Sequence, residues 1–117
     1  IHRRKTGVLF GAAATAGALS AGGSPEDIAA LTAYAKNLGL AFQVVDDLLD
    51  VVGTPEETGK AVRHDARKTT FVSFSGVEGA RELAQELCRT ATQALKPFGA
   101  RAARLGALAD FVAARRL

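Results

Sequence analysis

The sequence predicts an all-α fold, and three observations carry that prediction. Alanine is abundant and β-branched residues are sparse, with aromatics at only 6%, a composition that favours helices over sheets. Apolar residues recur every three or four positions through long runs. Gly, Pro and Ser fall between those runs, where helices would start and stop. The 117 residues suffice for one small domain and not for two. A chain that is 48% hydrophobic and 23% charged has the balance of a globular protein.

The first helix is predicted from about Arg3 to Ser20, ending at Gly22-Gly23. Residues 2–23 also have the outline of a secretory leader: basic His2–Lys5, apolar Val8–Leu19, then small residues at 18–21. The apolar part is rich in Ala and Gly rather than Leu, and Gly11, Thr15 and Gly17 interrupt it. It is therefore read as a buried helix whose small residues permit close packing. No other segment is expected to approach membrane-spanning length.

The second helix has the clearest start. Ser24 is an N-cap, Pro25 takes the first helical position and Asp27 completes a capping-box-like pattern. The helix should run to Val52 and stop at Gly53-Thr54-Pro55, with Ile28, Leu31, Ala35, Leu38, Phe42, Val45 and Leu49 on its apolar side. Residues 53–76 form a charged connection of the length that usually carries function, with short helical turns near Glu56 and after Lys68. A third helix is predicted over about Val77–Lys96, broken by Pro97 and Gly99, and a fourth over about Ala102–Arg115 with Leu105, Leu108, Phe111 and Val112 inward.

The net charge of +3 permits an anionic partner but does not demand nucleic acid. No nucleic-acid motif and no one-sided basic stripe is present. The single cysteine, Cys88, excludes an internal disulfide framework, suits a reducing compartment, and is read as a small packed hydrophobe. The opening at Ile1, inside a basic helical stretch, leads us to expect that residues 1–117 are a segment of a longer polypeptide.

The chemistry concentrates in Phe42-Gln43-Val44-Val45-Asp46-Asp47-Leu48-Leu49-Asp50. On a helix, Gln43, Asp46, Asp47 and Asp50 share one face. Three carboxylates there repel one another among apolar neighbours, and no Lys or Arg intervenes between Lys36 and Lys60. A hard divalent cation such as Mg²⁺ would neutralise them and share its coordination sphere with phosphate oxygens. A solvated acidic patch is the plain alternative. An EF-hand is excluded by the missing loop glycine and ligand alternation. Basic residues bracket the cluster: Arg3, Arg4 and Lys5 before it, Lys60, Arg63, Arg67 and Lys68 after it, and Arg115 and Arg116 at the end of the chain. Carboxylates for a cation and cations for phosphate oxygens together describe a site for a diphosphate ester.

These residues resemble the trans-isoprenyl diphosphate synthases, the polyprenyl synthetase family, in their bacterial farnesyl and geranylgeranyl diphosphate synthase branch. The Phe42-Gln43-x-x-Asp46-Asp47-x-x-Asp50 block resembles the family's second aspartate-rich motif, Lys5-Thr6-Gly7 its upstream Lys-Thr element, and Thr58-Gly59-Lys60 with Asp65 and Lys68 its downstream basic loop. The resemblance implies the C-terminal part of the isoprenoid synthase helical bundle, in a cytoplasmic homodimer without a membrane span. It implies a Mg²⁺-dependent prenyltransferase of isoprenoid biosynthesis that condenses isopentenyl diphosphate head-to-tail with an allylic diphosphate such as dimethylallyl or geranyl diphosphate.

By the same resemblance, Asp46 would bind the metal directly, while Asp47 and Asp50 would bind through water or hold the inner ligands. Asp65 would support the metal–water network. Lys5 and Lys60 would hold the allylic diphosphate, Thr6 and Gln43 would offer oxygens to the allylic cation, and Arg115 or Arg116 would close over the site. Lys68 sits closer to Asp65 than in the family, so either Lys68 or Arg67 is the phosphate ligand. His2 and His64 have no role. The family's first aspartate-rich motif is absent from these residues and is expected before Ile1, so the segment alone should be inactive. A non-catalytic helical partner subunit and a head-to-head squalene or phytoene synthase-like enzyme are the rival readings.

Overall fold

The computed structural model describes residues 2–52 and 71–114. Among them are four α-helices, one 3-10 segment and no strand: α1 His2–Ser20, α2 Pro25–Val52, α3 Phe71–Gln93, the 3-10 segment Lys96–Ala102, and α4 Ala103–Ala113. The all-α prediction is met.

The connection between α1 and α2 is built by local chemistry. Gly22 takes φ +74°, the left-handed conformation that glycine reaches without strain. The amide of Gly23 donates to the carbonyl of Ala18 at 2.7 Å and that of Gly22 to Leu19 at 3.1 Å, the paired bonds of a Schellman ending. The next helix starts at once. The Asp27 amide donates to Ser24 Oγ at 3.1 Å, and the Ser24 amide donates to Asp27 Oδ2 at 3.2 Å. This is the reciprocal capping box read from the sequence, with Asp in place of the commoner Glu.

Helix α2 is the centre of the fold, packing against α1, α3 and α4. Its Tyr34, Leu38, Ala41, Val44, Val45 and Leu48 meet Ala80, Ala84, Cys88, Ala91 and Leu95 of the α3 side, and Ala102, Ala109 and Val112 close the core. Leu38, Val44 and Leu48 are the largest fully buried side chains. Contact on several sides explains why the buried set of α2 is wider than one predicted stripe, in which Ile28, Leu31, Phe42 and Leu49 are only half-buried. It also makes α2 apolar along its length. The stretch Pro25–Val51 is long and apolar enough to cross a membrane, which corrects the expectation that nothing beyond residues 2–23 approached that length. A core helix meets the same criterion.

Helix α3 contains a break. Gly76 has φ +73° and ψ 177°, so regular helix restarts at Val77 as predicted, preceded by a turn over Phe71–Ser75. The helix ends at Gln93 rather than Lys96, because Pro97, in the first turn of the 3-10 segment, has no amide to continue the helix, and Gly99, at φ +58°, bends that segment.

Two further expectations are corrected. Leu108 and Phe111 do not face inward; they are 45% and 67% exposed. The inward row of α4 is Leu105, Ala109 and Val112, at i, i+4 and i+7, with Ala109 fully buried against the core. Helix α1 is not buried all round. Ala18 is its one buried side chain among those described, and Val8 and Leu9 are 66% and 67% exposed, because α1 packs mainly on α2.

Candidate functional site on the α1–α2 hairpin

The acidic residues stand on the last three turns of α2. Gln43, Asp46 and Asp47 are half-buried and Asp50 is exposed. Val44, Val45 and Leu48 are buried in the core toward α3 and α4, on the side of α2 away from Gln43, Asp46 and Asp50. Leu49 is half-buried and Val51 is exposed, so these apolar residues do not crowd around the carboxylates as the sequence suggested. Gly39, Gln43, Asp46 and Asp50 fall at i, i+4, i+7 and i+11, one continuous helical face.

Helix α1 lies along that same face. A Cβ placed on Gly39 would stand 3.7 Å from the Cα of Gly7 and 3.6 Å from Cδ2 of Phe10. One turn on, the rings of Phe10 and Phe42 pack with centroids 5.9 Å apart and planes tilted 49°. Gly7 and Gly39 lie nearly the same number of residues from the connecting turn, so the two helices run antiparallel. Positions 2–6 of α1 therefore lie beside the part of α2 that carries Gln43 and the aspartates. Backbone positions 5 and 6, the Lys-Thr element, are thus brought to the same end of the hairpin as Asp46.

The carboxylates do not form a closed metal cage. Among the described residues no three of His, Cys, Asp and Glu converge on one point. Helical geometry accounts for this: a rise of about 1.5 Å per residue sets Asp50 roughly 6 Å along the axis from Asp46. The donor set still suits Mg²⁺, which takes hard oxygen ligands and fills the rest of its octahedron with water and phosphate oxygens. Lys60, Asp65, Arg67, Lys68, Arg115 and Arg116 lie outside the described residues, as do His64 and the connection 53–70.

A second concavity, of about 360 Å³, lies between α3 and α4 and is lined by Gln85, Cys88, Arg89, Thr92, Asp110 and neighbours. It shares no residue with the acidic face. Burial, and after it the charge of Asp110, pushes the Cys88 thiol up from its ordinary value. That keeps it protonated and unreactive, in line with its reading as a packed hydrophobe.

The glycine–aromatic seam of Gly39, Phe10 and Phe42 was not foreseen from the sequence. Its signal was available: a glycine inside a strongly apolar helix, at helical spacing from the carboxylates.

An all-helical core with a carboxylate-bearing face beside a Lys-Thr helix is the arrangement the resemblance to isoprenoid synthases leads one to expect. The comparisons with known proteins agree. The polyprenyl synthetase family model matches residues 1–98, and the chain belongs to that family. It is 43% identical over 117 residues to a dimethylallyltranstransferase of Fischerella ambigua, covering 98% of this chain and 34% of that protein. It is 42% identical to a geranylgeranyl diphosphate synthase of Cyanophora paradoxa, covering 98% of this chain and 39% of the other. A chloroplastic geranylfarnesyl diphosphate synthase of Leucosceptrum canum is 46% identical over 118 residues, covering 98% of this chain and 32% of that protein. The chain thus spans about a third of the length of these relatives.

Proposed function

We propose that the complete protein is a prenyltransferase that condenses isopentenyl diphosphate with an allylic diphosphate, dimethylallyl or geranyl, head-to-tail. The observation that carries this reading is the juxtaposition of the α2 carboxylate face with the Lys-Thr end of α1, in a chain of the polyprenyl synthetase family. Family membership also favours this chemistry over the head-to-head synthases.

In this reading the reaction starts with ionisation of the allylic carbon–oxygen bond. Magnesium, when bound, offsets the negative charge that builds on the leaving diphosphate. Asp46 would hold the metal directly, with Asp47 and Asp50 binding it through water or holding the inner ligands in place and Asp65 supporting the metal–water network. Lys5 and Lys60 grip the diphosphate, with Lys68 or Arg67 and Arg115 or Arg116 closing around it. Such charges stabilise the transition state more than the bound substrate, because the charge they meet is only then developing. Thr6 and Gln43 turn oxygen dipoles toward the allylic cation, which needs a dry, apolar surround so that water cannot quench it. The isopentenyl double bond attacks the cation, and the departing diphosphate takes the proton released as the new double bond forms.

The same reading makes the assembled enzyme a cytoplasmic homodimer, with residues 1–117 as its C-terminal segment and a further aspartate-rich motif supplied from outside them. The 117 residues alone are then inactive.

The test is a condensation assay of the full-length protein with isopentenyl and dimethylallyl or geranyl diphosphate, with and without Mg²⁺, in the natural form and as Asp46→Ala. Mg²⁺-dependent product from the natural form, abolished by Asp46→Ala, is the expected result. Activity of an assembled complex that Asp46→Ala leaves unchanged would establish a non-catalytic partner subunit instead.

A further inference from the structure

Position 39 lies in the seam between α1 and α2. Gly39 is buried in the middle of a 28-residue helix, where glycine costs about 1 kcal/mol relative to alanine. A Cβ added to it would meet Gly7, the residue that follows the Lys-Thr pair, and Phe10, whose ring packs at a tilt on that of Phe42, next to Gln43. It also occupies the same helical face as Asp46, two turns earlier. The gap above it has a definite size. A methyl group would sit at 3.6–3.7 Å from its neighbours, ordinary van der Waals contact, and a further heavy atom aimed across the seam would press on the Gly7 backbone and the Phe10 ring.

We propose that Gly39 is a positioning residue, setting the spacing between the Lys-Thr helix and the aspartate helix and admitting nothing larger than alanine. The proposal rests on the prenyl-transfer reading of the site. Groups on α1 and α2 grip opposite sides of one allylic diphosphate, so widening the seam weakens allylic binding first. A displacement of the order of 1 Å is enough to cost catalysis heavily.

The experiment uses the full-length protein and the series Gly39→Ala, Gly39→Ser and Gly39→Val, with Gly11→Ala as a control on α1, where an added Cβ meets nothing within 4 Å. We expect Gly39→Ala and the control to behave as the natural protein. We expect Gly39→Val to raise KM for the allylic diphosphate by about tenfold or more, with KM for isopentenyl diphosphate little changed and Gly39→Ser intermediate. Unchanged allylic KM in Gly39→Val, or an equal loss toward both substrates, overturns the proposal. If Gly39→Val does not fold, Gly39→Ser decides by the same criterion. An activity-independent measurement separates this proposal from the function on which it rests. The distance between spin labels at Val8→Cys and Lys36→Cys should lengthen in Gly39→Val and stay constant in Gly39→Ala. A constant distance in Gly39→Val overturns the spacing role even in an active enzyme. A lengthened distance in a protein with no condensing activity upholds the spacing role while the functional reading falls.

Discussion

The hydroxyl of Tyr34, on α2, donates a 2.7 Å hydrogen bond to the backbone carbonyl of Leu105, 71 residues away in the first turn of α4. It fastens the outermost described helix to the central one. Burial, and after it the neighbouring Cys88, pushes the Tyr34 phenol up to about 12. Because the folded value lies above the unfolded one, the unfolded chain loses its proton first as pH rises. The stabilisation is whole below about pH 10 and is lost between there and about pH 12. Tyr34 is the chain's single tyrosine, so phenolate absorbance of the 117-residue chain reports it alone. The midpoint should lie near 12 in buffer and near 10 in denaturant; a midpoint near 10 in both would refute the burial of the phenol.

Removing that hydroxyl isolates its contribution. Tyr34→Phe keeps the ring packing and loses one hydrogen bond, so unfolding free energy should fall by about 1 kcal/mol. The alkaline loss of stability should disappear with it. Chemical denaturation at neutral and alkaline pH measures both.

The carboxylates should not be equivalent. Asp46 is half-buried on the face that α1 covers, and Asp50 is exposed at the far end. In the full-length protein, Asp46→Asn should lower kcat by about a hundredfold or more and raise the Mg²⁺ requirement, with a smaller effect for Asp50→Asn. Equal effects, or none, in a Mg²⁺-titrated assay would count against the assignment.

Much of the hairpin was legible in the sequence. Ser24, Pro25 and Asp27 marked the start of α2 because capping is a local matter of a few backbone donors, and Gly22-Gly23 marked the end of α1 for the same reason. The alignment of Gln43 with the three aspartates came from helical period alone. What escaped was tertiary. The apolar residues of α4 could fill either of two rows, and only the close approach permitted by Ala109 decides that Leu105 and Val112 go inward while Leu108 and Phe111 do not. Likewise the bareness of Val8 and Leu9 depends on which helices stand beside α1, which periodicity cannot say.

That difference predicts contrasting mutants within α4. Val112→Ala removes two buried methyl groups and should destabilise the segment by about 1–2 kcal/mol, whereas Phe111→Ser should change its stability by less than about 0.5 kcal/mol. Thermal unfolding of the two variants of the 117-residue chain tests the ordering; reversal would restore Phe111 to the core.

The turn at residues 21–24 should be costly to alter. Gly22→Ala forces a methyl group into the left-handed region, and Ser24→Ala strips the cap from α2; each should cost about 1 kcal/mol. Circular dichroism melts of the single and double variants would show whether the two costs add.

That turn also bears on how the site is held. Lys5 and Thr6 on one side, and Gln43 and the aspartates on the other, belong to consecutive helices whose junction is specified by its own few residues. Their mutual placement is therefore written within residues 2–52, while α3 and α4 supply the core on which α2 rests. The hairpin sets the register of this half of the chemistry, and the helices after it keep that register from slipping.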